Sequence, residues 1–454
     1  MKIMCKLLLA SVATLLFTLP LPAQDATELL NRMKAMEDRI KSLEAEVQTL
    51  KSQQTAAAVP QPAPAQPVPM PVAAAQPLPQ DTTPLGGAGG AAAKALNPDI
   101  SVIGDFLGAI GNPAGRPTPS LEMHETEVAF QEVIDPYARA DFFITFGEHD
   151  VSLEEGYITF TSLPAGLQLK VGKMRAAFGK VNTLHNHVLS WTDRPLVTQN
   201  LVGGEDGISD AGLSLSRILP APKGLFLEAT GQIYRGDDQN VFSAPRRSDF
   251  ATVGHLRAYA DLSENTNIDL GGSYARGHSP FADGHNQLFG VDATLRWKPL
   301  RRAIYHSFLG RGEFIWTRTS VAPFLIPGII LPPNPVGPAT LAQPYGFYIS
   351  GDYQLNRRWV VGGRFDRSQR GLCLPTNPDT IPNCSNVFLP PNSFTHGYPL
   401  VTDTGASALL TYWASEFSQI RAQLRRTQYA GNRNTNEFLF QFQFSMGAHG
   451  AHPF

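Results

Sequence analysis

Apolar and polar residues alternate with a period of two through the chain from Asn97 onward, and Gly, Asn, Asp and Pro turns interrupt the alternation. Because successive side chains of a strand point to opposite faces, the pattern indicates strands with one apolar and one polar face. The last run, E-F-L-F-Q-F-Q-F-S-M at residues 437–446, puts phenylalanines on one face and Gln441 and Gln443 on the other. The predicted fold is all-β, with about 16 strands.

The alternation alone leaves two architectures open. A soluble sandwich buries the apolar face, whereas a membrane barrel turns it to lipid and keeps the polar face in an aqueous lumen. In residues 288–298 the apolar face is the row Phe289, Val291, Ala293, Leu295 and Trp297. The opposite row there contains Asp292, Thr294 and Arg296.

The N-terminus indicates export. A lysine-bearing start, an apolar stretch from Leu7 to Leu19 and a cleavage point after Ala23 predict a secretory signal at residues 1–23. No later apolar run reaches the roughly 18 residues that a membrane-spanning helix requires. Insertion in a membrane would therefore require a closed barrel, since lipid offers backbone groups no hydrogen-bond partner.

The connections between strands favour the membrane barrel. Short turns at 262–267 and 354–358 contrast with long Pro/Gly-rich connections at 318–344 and 368–397, a layout typical of outer-membrane barrels. The chain also ends in Phe454, and an aromatic end after a strand resembles the signal read by the barrel-assembly machinery. Residues 97–454 are thus predicted to form a transmembrane antiparallel β-barrel in the bacterial outer membrane, in contact with lipid and lipopolysaccharide.

Two segments precede this barrel. Residues 24–54 carry a heptad seam in which Met33, Ile40 and Val47 occupy one core position, and flanking charges of opposite sign favour a periplasmic coiled coil. An amphipathic helix lying on another surface is the alternative. Residues 55–96 are rich in Pro, Ala and Gly and are predicted to form a disordered, extended linker. A homotrimer is the expected oligomer.

Two cysteines remain after signal removal. Cys373 and Cys384 lie in a Pro/Asn/Ser-rich segment of an exported chain, which favours a local disulfide over two free thiols.

Residues 169–213 are the most specific part of the sequence. They contain V-G-K-M-R-A-A-F-G, then W-T-D-R-P-L, then G-G-E-D-G-I. This order resembles the phosphate-selective porin O and P family, although Ala177 stands where that family has proline. The matching positions are Gly172, Phe178, Gly179, Trp191, Arg194, Pro195 and Gly207. The resemblance implies a trimeric 16-stranded barrel that carries small anions past basic pore-lining residues.

Basic residues are accordingly the pore-lining candidates. Five lie in or beside the segment expected to narrow the lumen: Lys170, Lys173, Arg175, Lys180 and Arg194. Five more lie on predicted lumen faces: Arg257, Arg296, Arg364, Arg421 and Arg425. The same faces carry Asp261, Asp269, Asp292 and Asp366, so ion pairing that stiffens the barrel is the favoured explanation of these arginines. We expect a general or weakly anion-preferring pore.

Other functional classes find less support. The formal net charge of -2 gives no reason to expect a nucleic-acid partner. His185 and His187, or His449 and His452, could bind a metal, but no cysteine or clustered carboxylate lies at ligand spacing along the sequence, so neither a metal nor a cofactor is predicted. Hydrolase, metalloprotease and phosphate-loop motifs are absent, which predicts that the protein is not an enzyme. A Ser/His pair at the lumen edge, as in barrel phospholipases, is a remaining alternative.

The sequence therefore predicts an outer-membrane porin for passive diffusion of small hydrophilic solutes, narrowed near residues 174–206. The alternative is a structural anchor, in which a plugged barrel tethers another envelope layer through the coiled coil.

Overall fold

The computed structural model describes residues 98–111, 119–238, 240–321, 340–371, 394–395, 398–430 and 433–447. The predicted signal peptide, coiled coil and linker lie outside these residues, and so does the predicted disulfide between Cys373 and Cys384.

Eighteen strands are found in the described residues, and two of them, β12 and β15, are only three and two residues long. The other sixteen agree with the predicted number of strands, and they include the predicted runs at residues 288–298 and 437–446. The strands are β1 (Asp99–Gly111), β2 (Leu121–Asp135), β3 (Ala138–Phe146), β4 (Val151–Leu163), β5 (Leu167–Arg175), β6 (Ser209–Leu219), β7 (Leu225–Tyr234), β8 (Ala251–Ser263), β9 (Thr266–His278), β10 (His285–Trp297), β11 (Phe308–Val321), β12 (Thr340–Ala342), β13 (Tyr345–Gln354), β14 (Trp359–Gly371), β15 (Phe394–Thr395), β16 (Tyr398–Ser415), β17 (Ser418–Tyr429) and β18 (Arg433–Gly447).

The long strands form one closed antiparallel barrel. Neighbours along the chain pair with each other, with β11 pairing β13 and β14 pairing β16 across the short strands. The first strand then pairs with the last, in a register that sets Phe106 opposite Phe442. Closure leaves no free edge, so the backbone groups of every long strand are bonded within the sheet.

The phenylalanines of β18 point out of the barrel. Phe438, Phe442 and Phe444 are exposed, whereas Gln441 between them is buried inside. Two outward glycines of β1 leave room for this aromatic row: a Cβ at Gly104 would lie 2.3 Å from the Phe444 ring, and one at Gly108 would lie 2.0 Å from the Phe440 ring.

The same sidedness holds around the barrel. On β10, Val291 and Leu295 are exposed outside while Asp292 and Thr294 are buried inside, as the alternation predicts. On β17, Ile420 and Leu424 face out, and the row Gln419, Arg421 and Gln423 faces in. A continuous apolar outer surface of this extent is suited to lipid and not to water. The membrane-barrel prediction is therefore confirmed over the sandwich.

The two ends of the barrel differ as predicted. One end has tight turns, such as residues 264–265 and 416–417, and β1 begins and β18 ends there. The other end has the long connections 176–208 and 235–250, and β14 ends and β16 begins there. In outer-membrane barrels the short-turn end is periplasmic.

Helical structure in the described residues is short. It comprises three 3-10 turns, at Pro164–Gly166, Val181–Thr183 and Asn186–Val188, and one α-helix, α1 (Leu196–Leu201). No helix in this part of the chain combines the length and the apolar character needed to span a membrane.

A first prediction concerns the outer face. Ile349 lies on β13 midway between outward Tyr345 and Tyr353 and is 61% exposed. Ile349→Arg places a charge at the middle of the apolar band, and it should lower the free energy of unfolding in lipid vesicles by about 2–4 kcal/mol. Urea titration of the folded barrel measures the loss.

The matched control is Gln428→Arg. Gln428 is also outward but lies near the long-loop end of β17, beyond exposed Arg426. Charges near the interface cost only about 0–1 kcal/mol. Equal losses in the two variants would contradict the assigned membrane position.

Candidate functional site: the lumen

A long segment folds into the barrel. Residues 176–208, here called the inner segment, leave β5 after Arg175 and return to the wall at Ser209. Its apolar side chains Phe178, Val181, Trp191 and Val197 are at most 1% exposed. They pack against inward side chains of distant strands, which include Tyr234, Val253, Leu288, Ile315 and Tyr348. The lumen thus contains an apolar core, which differs from the uniformly polar interior expected from the alternation.

Trp191 is at the centre of this core. Its ring meets the ring of Tyr348 edge-on at 5.2 Å between centroids. The guanidinium groups of Arg311 and Arg364 each lie 5.0 Å from the ring centroid. Such cation–π contacts stabilise most when the groups are removed from water, as they are here.

Asp193 bonds the inner segment to one side of the wall. Its Oδ2 accepts hydrogen bonds from Arg364 Nη2 at 2.8 Å and from Arg425 Nη1 at 2.9 Å, and its Oδ1 accepts one from Gln423 at 2.5 Å. Burial alone would raise the pKa of Asp193, but the two arginines outweigh it and lower the pKa to about 2. The carboxylate is therefore charged under physiological conditions.

Two histidines bond the inner segment to a second part of the wall, at β2 and β4. His185 Nδ1 lies 2.5 Å from Glu127 Oε2 on β2, and its Nε2 lies 2.8 Å from Glu155 Oε2 on β4. His187 Nδ1 lies 3.3 Å from Glu125 Oε1. Burial lowers the pKa of His185, but the hydrogen bonds with Glu127 and Glu155 outweigh it and raise the pKa to about 10.

Backbone hydrogen bonds hold the start of the segment to a third side. Glu313 on β11 accepts from the amides of Lys180 and Val181, the latter at 2.7 Å. Ser273 Oγ on β9 accepts from Gly179 N at 2.9 Å. With the Asp193 and histidine contacts, these bonds tie the inner segment to strands around most of the barrel.

Two of the predicted pore-lining arginines, Arg194 and Arg175, donate hydrogen bonds to groups of the inner segment. Arg194 is 2% exposed and donates to Asn186 Oδ1 at 2.8 Å and to the carbonyl of Leu184 at 2.6 Å. Arg175 pairs with Glu154 and donates to the carbonyl of Asp206 at 2.8 Å. Both guanidinium groups hold the turns of the inner segment together.

Three other candidates form the accessible basic cluster, which we define as Lys180, Arg257 and Arg296. All three surround Asp269: Arg257 binds it through two hydrogen bonds of 2.9 and 2.8 Å, Arg296 lies 3.8 Å away and Lys180 lies 3.9 Å away. The side chains of Arg257, Arg296 and Lys180 are 36%, 32% and 30% exposed, in that order, whereas the side chain of Asp269 is 5% exposed. Burial, which Asp269 only partly offsets, lowers the pKa of Lys180.

The remaining candidates divide between the two faces. Lys170 faces inward, with its Nζ 4.4 Å from the ring centroid of Tyr157. Lys173 is three residues further along β5 and donates to the carbonyl of Leu153, so it lies on the outward face and does not fit the predicted pore-lining position. Arg421 is buried inside and donates to Gln441 at 2.6 Å.

Ion pairing inside the lumen occurs as the sequence suggested. Arg257 pairs with Asp269 at 2.8 Å and Arg364 pairs with Asp366 at 2.8 Å. Five wall glutamates that meet the inner segment were not among the predicted site residues: Glu125, Glu127, Glu154, Glu155 and Glu313. One signal was available, because E-T-E in a strand puts Glu125 and Glu127 on one face.

Comparisons with known proteins give a fold context. No family model matches the chain. A protein of Aquifex aeolicus (strain VF5), described as uncharacterized, is 27% identical over 413 residues, covering 80% of this chain and 81% of the relative. The predicted kinship with the phosphate-selective porin family stays a prediction.

Solved outer-membrane proteins resemble the barrel. OmpT of Vibrio cholerae has a TM-score of 0.48 at 8% identity, covering 77% of this chain and 97% of that protein. OprB of Pseudomonas putida has a TM-score of 0.47 at 10% identity, with coverage of 77% and 94%. The channel DcaP of Acinetobacter baumannii has a TM-score of 0.45 at 10% identity, with coverage of 77% and 96%. The barrel assignment itself rests on the strand pairing described above.

A second prediction concerns the Asp193 contacts. Asp193→Asn removes the charge that two buried arginines share, and loss of one partner of a buried ion pair costs about 3 kcal/mol. The inner segment should detach from β14 and β17 and become sensitive to proteases. Asp283→Asn is the matched control, since that side chain is 94% exposed.

The pH dependence of the Asp193 contact follows from the direction of the pKa shift of this carboxyl group. The pKa of Asp193 lies below its unfolded value of about 3.9, so the contact is at full strength above that value and is lost as the pH falls through about 2. Protease sensitivity of the wild-type segment should thus stay low at pH 5. Opening of the segment near pH 5 with an intact barrel would contradict this account.

Proposed function

We propose that the protein is an outer-membrane pore through which small hydrophilic solutes diffuse passively. The observation that carries the proposal is a closed barrel, apolar outside, whose inner segment narrows the lumen and leaves the accessible basic cluster exposed to water. Charged side chains beside a narrowed aqueous path are the usual means by which barrel pores discriminate among solutes.

The fixed position of the inner segment supports a static constriction. Asp193, His185 and Glu313 each bond it to a different part of the wall. A segment held at several points around the barrel keeps its side chains at constant distances from the opposite wall. The size of the path is then set by the fold, which suits passive diffusion.

The balance of accessible charge supports a weak preference for anions. The cations of the accessible basic cluster are about one third exposed, while the carboxylate that neutralises them, Asp269, is 5% exposed. Glu228, 30% exposed and 3.9 Å from Arg257, reduces the preference. Because these cations are largely paired, a general pore fits better than a phosphate-specific one.

The proposal includes the orientation of the barrel in the membrane and its oligomeric state. We expect the barrel to sit among lipid and lipopolysaccharide with its short-turn end toward the periplasm, after insertion by the barrel-assembly machinery. A homotrimer is proposed from the resemblance to trimeric porins, although the core residues of the heptad seam at residues 24–54, outside the described residues, favour two strands.

Conductance across a planar bilayer is the direct test. The purified full-length protein should give stable ohmic steps in potassium chloride, because the path beside the accessible basic cluster is wet. An insulating barrel with a correctly folded wall would overturn the pore proposal and favour the structural anchor.

A third prediction addresses selectivity. Arg296→Gln removes one accessible cation. A unit charge about 4 Å from an ion in water contributes roughly 1 kcal/mol, which favours chloride and disfavours potassium, so the chloride-to-potassium permeability ratio should fall by up to about 30-fold. Reversal potentials in a salt gradient measure the ratio.

The matched control is Arg318→Gln. Arg318 makes the same charge change but lies on the outward face of β11, 5.8 Å from the outward Phe289 ring. Its reversal potential should equal that of the wild type. If the permeability ratio of Arg296→Gln equals that of the wild type, the accessible basic cluster does not lie on the conduction path.

A further inference from the structure

Two short sequence patterns meet inside the barrel. E-T-E on β2 presents Glu125 and Glu127 on the same inward face, and H-N-H at residues 185–187 lies on the 3-10 turn of the inner segment that packs against it. The sequence alone places no carboxylate near these histidines, because the two patterns lie 58 residues apart between Glu127 and His185. The fold supplies the carboxylates.

The donor atoms converge on one point. Glu127 Oε2 lies 2.5 Å from His185 Nδ1 and 3.7 Å from His187 Nδ1, and the three atoms lie within 4.8 Å of one another. Ligand atoms at 2.0–2.2 Å from a tetrahedral metal are roughly 3.3–3.6 Å apart. Side-chain shifts of less than about 1 Å would thus bring all three to coordination distance.

Two further carboxylates support the histidines. Glu125 Oε1 lies 3.3 Å from His187 Nδ1 but is not one of the mutually close donors, which are Glu127, His185 and His187. The far nitrogen of His185, Nε2, lies 2.8 Å from Glu155 Oε2. A carboxylate on the far nitrogen of a histidine is the usual arrangement for orienting a metal-binding imidazole.

The surroundings favour a cation. The side chains of Glu127, His187 and His185 are 0%, 2% and 4% exposed. Phe143 meets the His185 ring edge-on at 5.0 Å and closes one side of the cluster. Four glutamates, at 125, 127, 154 and 155, share this region with the guanidinium groups of Arg175 and Arg194, so the carboxylates outnumber the guanidinium groups.

We propose that His185, His187 and Glu127 bind one divalent first-row transition metal, with water as a fourth ligand, and Zn²⁺ fits these donors best. Imidazole nitrogen with carboxylate oxygen suits zinc and its neighbours better than calcium or magnesium, which prefer oxygen alone. The ion would join the inner segment to β2. A metal ion and a proton compete for Nδ1 of His185, as they do at any histidine ligand.

The fourth prediction is the binding itself. Metal-depleted full-length protein, folded in detergent micelles, should bind one Zn²⁺ per chain in isothermal titration calorimetry. His187→Gln and Glu127→Gln each remove one donor and should weaken binding by at least about 100-fold. Circular dichroism and resistance to unfolding in detergent verify that each variant still forms the barrel.

Two controls separate this cluster from other histidines. His255→Gln alters a histidine of the same lumen that lies beside Ser273 Oγ at 2.8 Å, and it should bind zinc as the wild type does. The double variant His449→Gln and His452→Gln removes the terminal pair and should also leave binding unchanged. X-ray absorption at the zinc edge should show only nitrogen and oxygen ligands at about 2.0–2.1 Å.

Three results would overturn the proposal: no zinc binding, zinc binding that survives both His187→Gln and Glu127→Gln, or zinc binding lost only with the terminal pair. Because none of these measurements depends on conductance, failure of the metal site and failure of the pore proposal are distinguishable.

Discussion

Backbone hydrogen bonding is the constraint on which the rest of the structure depends. Lipid offers no partner for an amide or a carbonyl, so a spanning sheet must pair its first strand with its last. The β1–β18 pairing does this over eleven residue pairs, from Ser101–Gly447 to Gly111–Glu437. Once that ring is closed, each strand has one lipid face and one inner face, and the alternation of the sequence follows from that division.

Closure creates a second problem, because a ring of sixteen strands encloses more space than wall side chains alone can fill. The inner segment fills part of that space with side chains such as Phe178 and Trp191, and the wall meets it with Leu288 and Ile315. The wall strands therefore carry apolar residues on both faces where they contact the segment, and polar residues inside where they contact water.

How much of this the sequence could predict depends on how local each signal is. Strand positions, their sidedness and the difference between the two ends follow from neighbouring residues, and they were predicted correctly. The partners of the inner segment were not, since Asp193 and Arg425 are 232 positions apart and no periodicity links them. Arg194 shows the same limit, because its charge suggested a pore lining while its position dictates bonds to nearby carbonyls.

The use of charged contacts to hold the inner segment has a physical reason. An apolar contact tolerates sliding, whereas Asp193 between Arg364 and Arg425 is satisfied in one position only. The arginines in turn keep wall partners, Asp366 and Glu437, so the segment binds to a network that is already ordered. A displacement of about 1 Å at Asp193 would break two charge-assisted hydrogen bonds together. Lys180, on the same segment, is thereby held beside Asp269, so the position of its charge in the lumen depends on contacts made at other strands of the barrel.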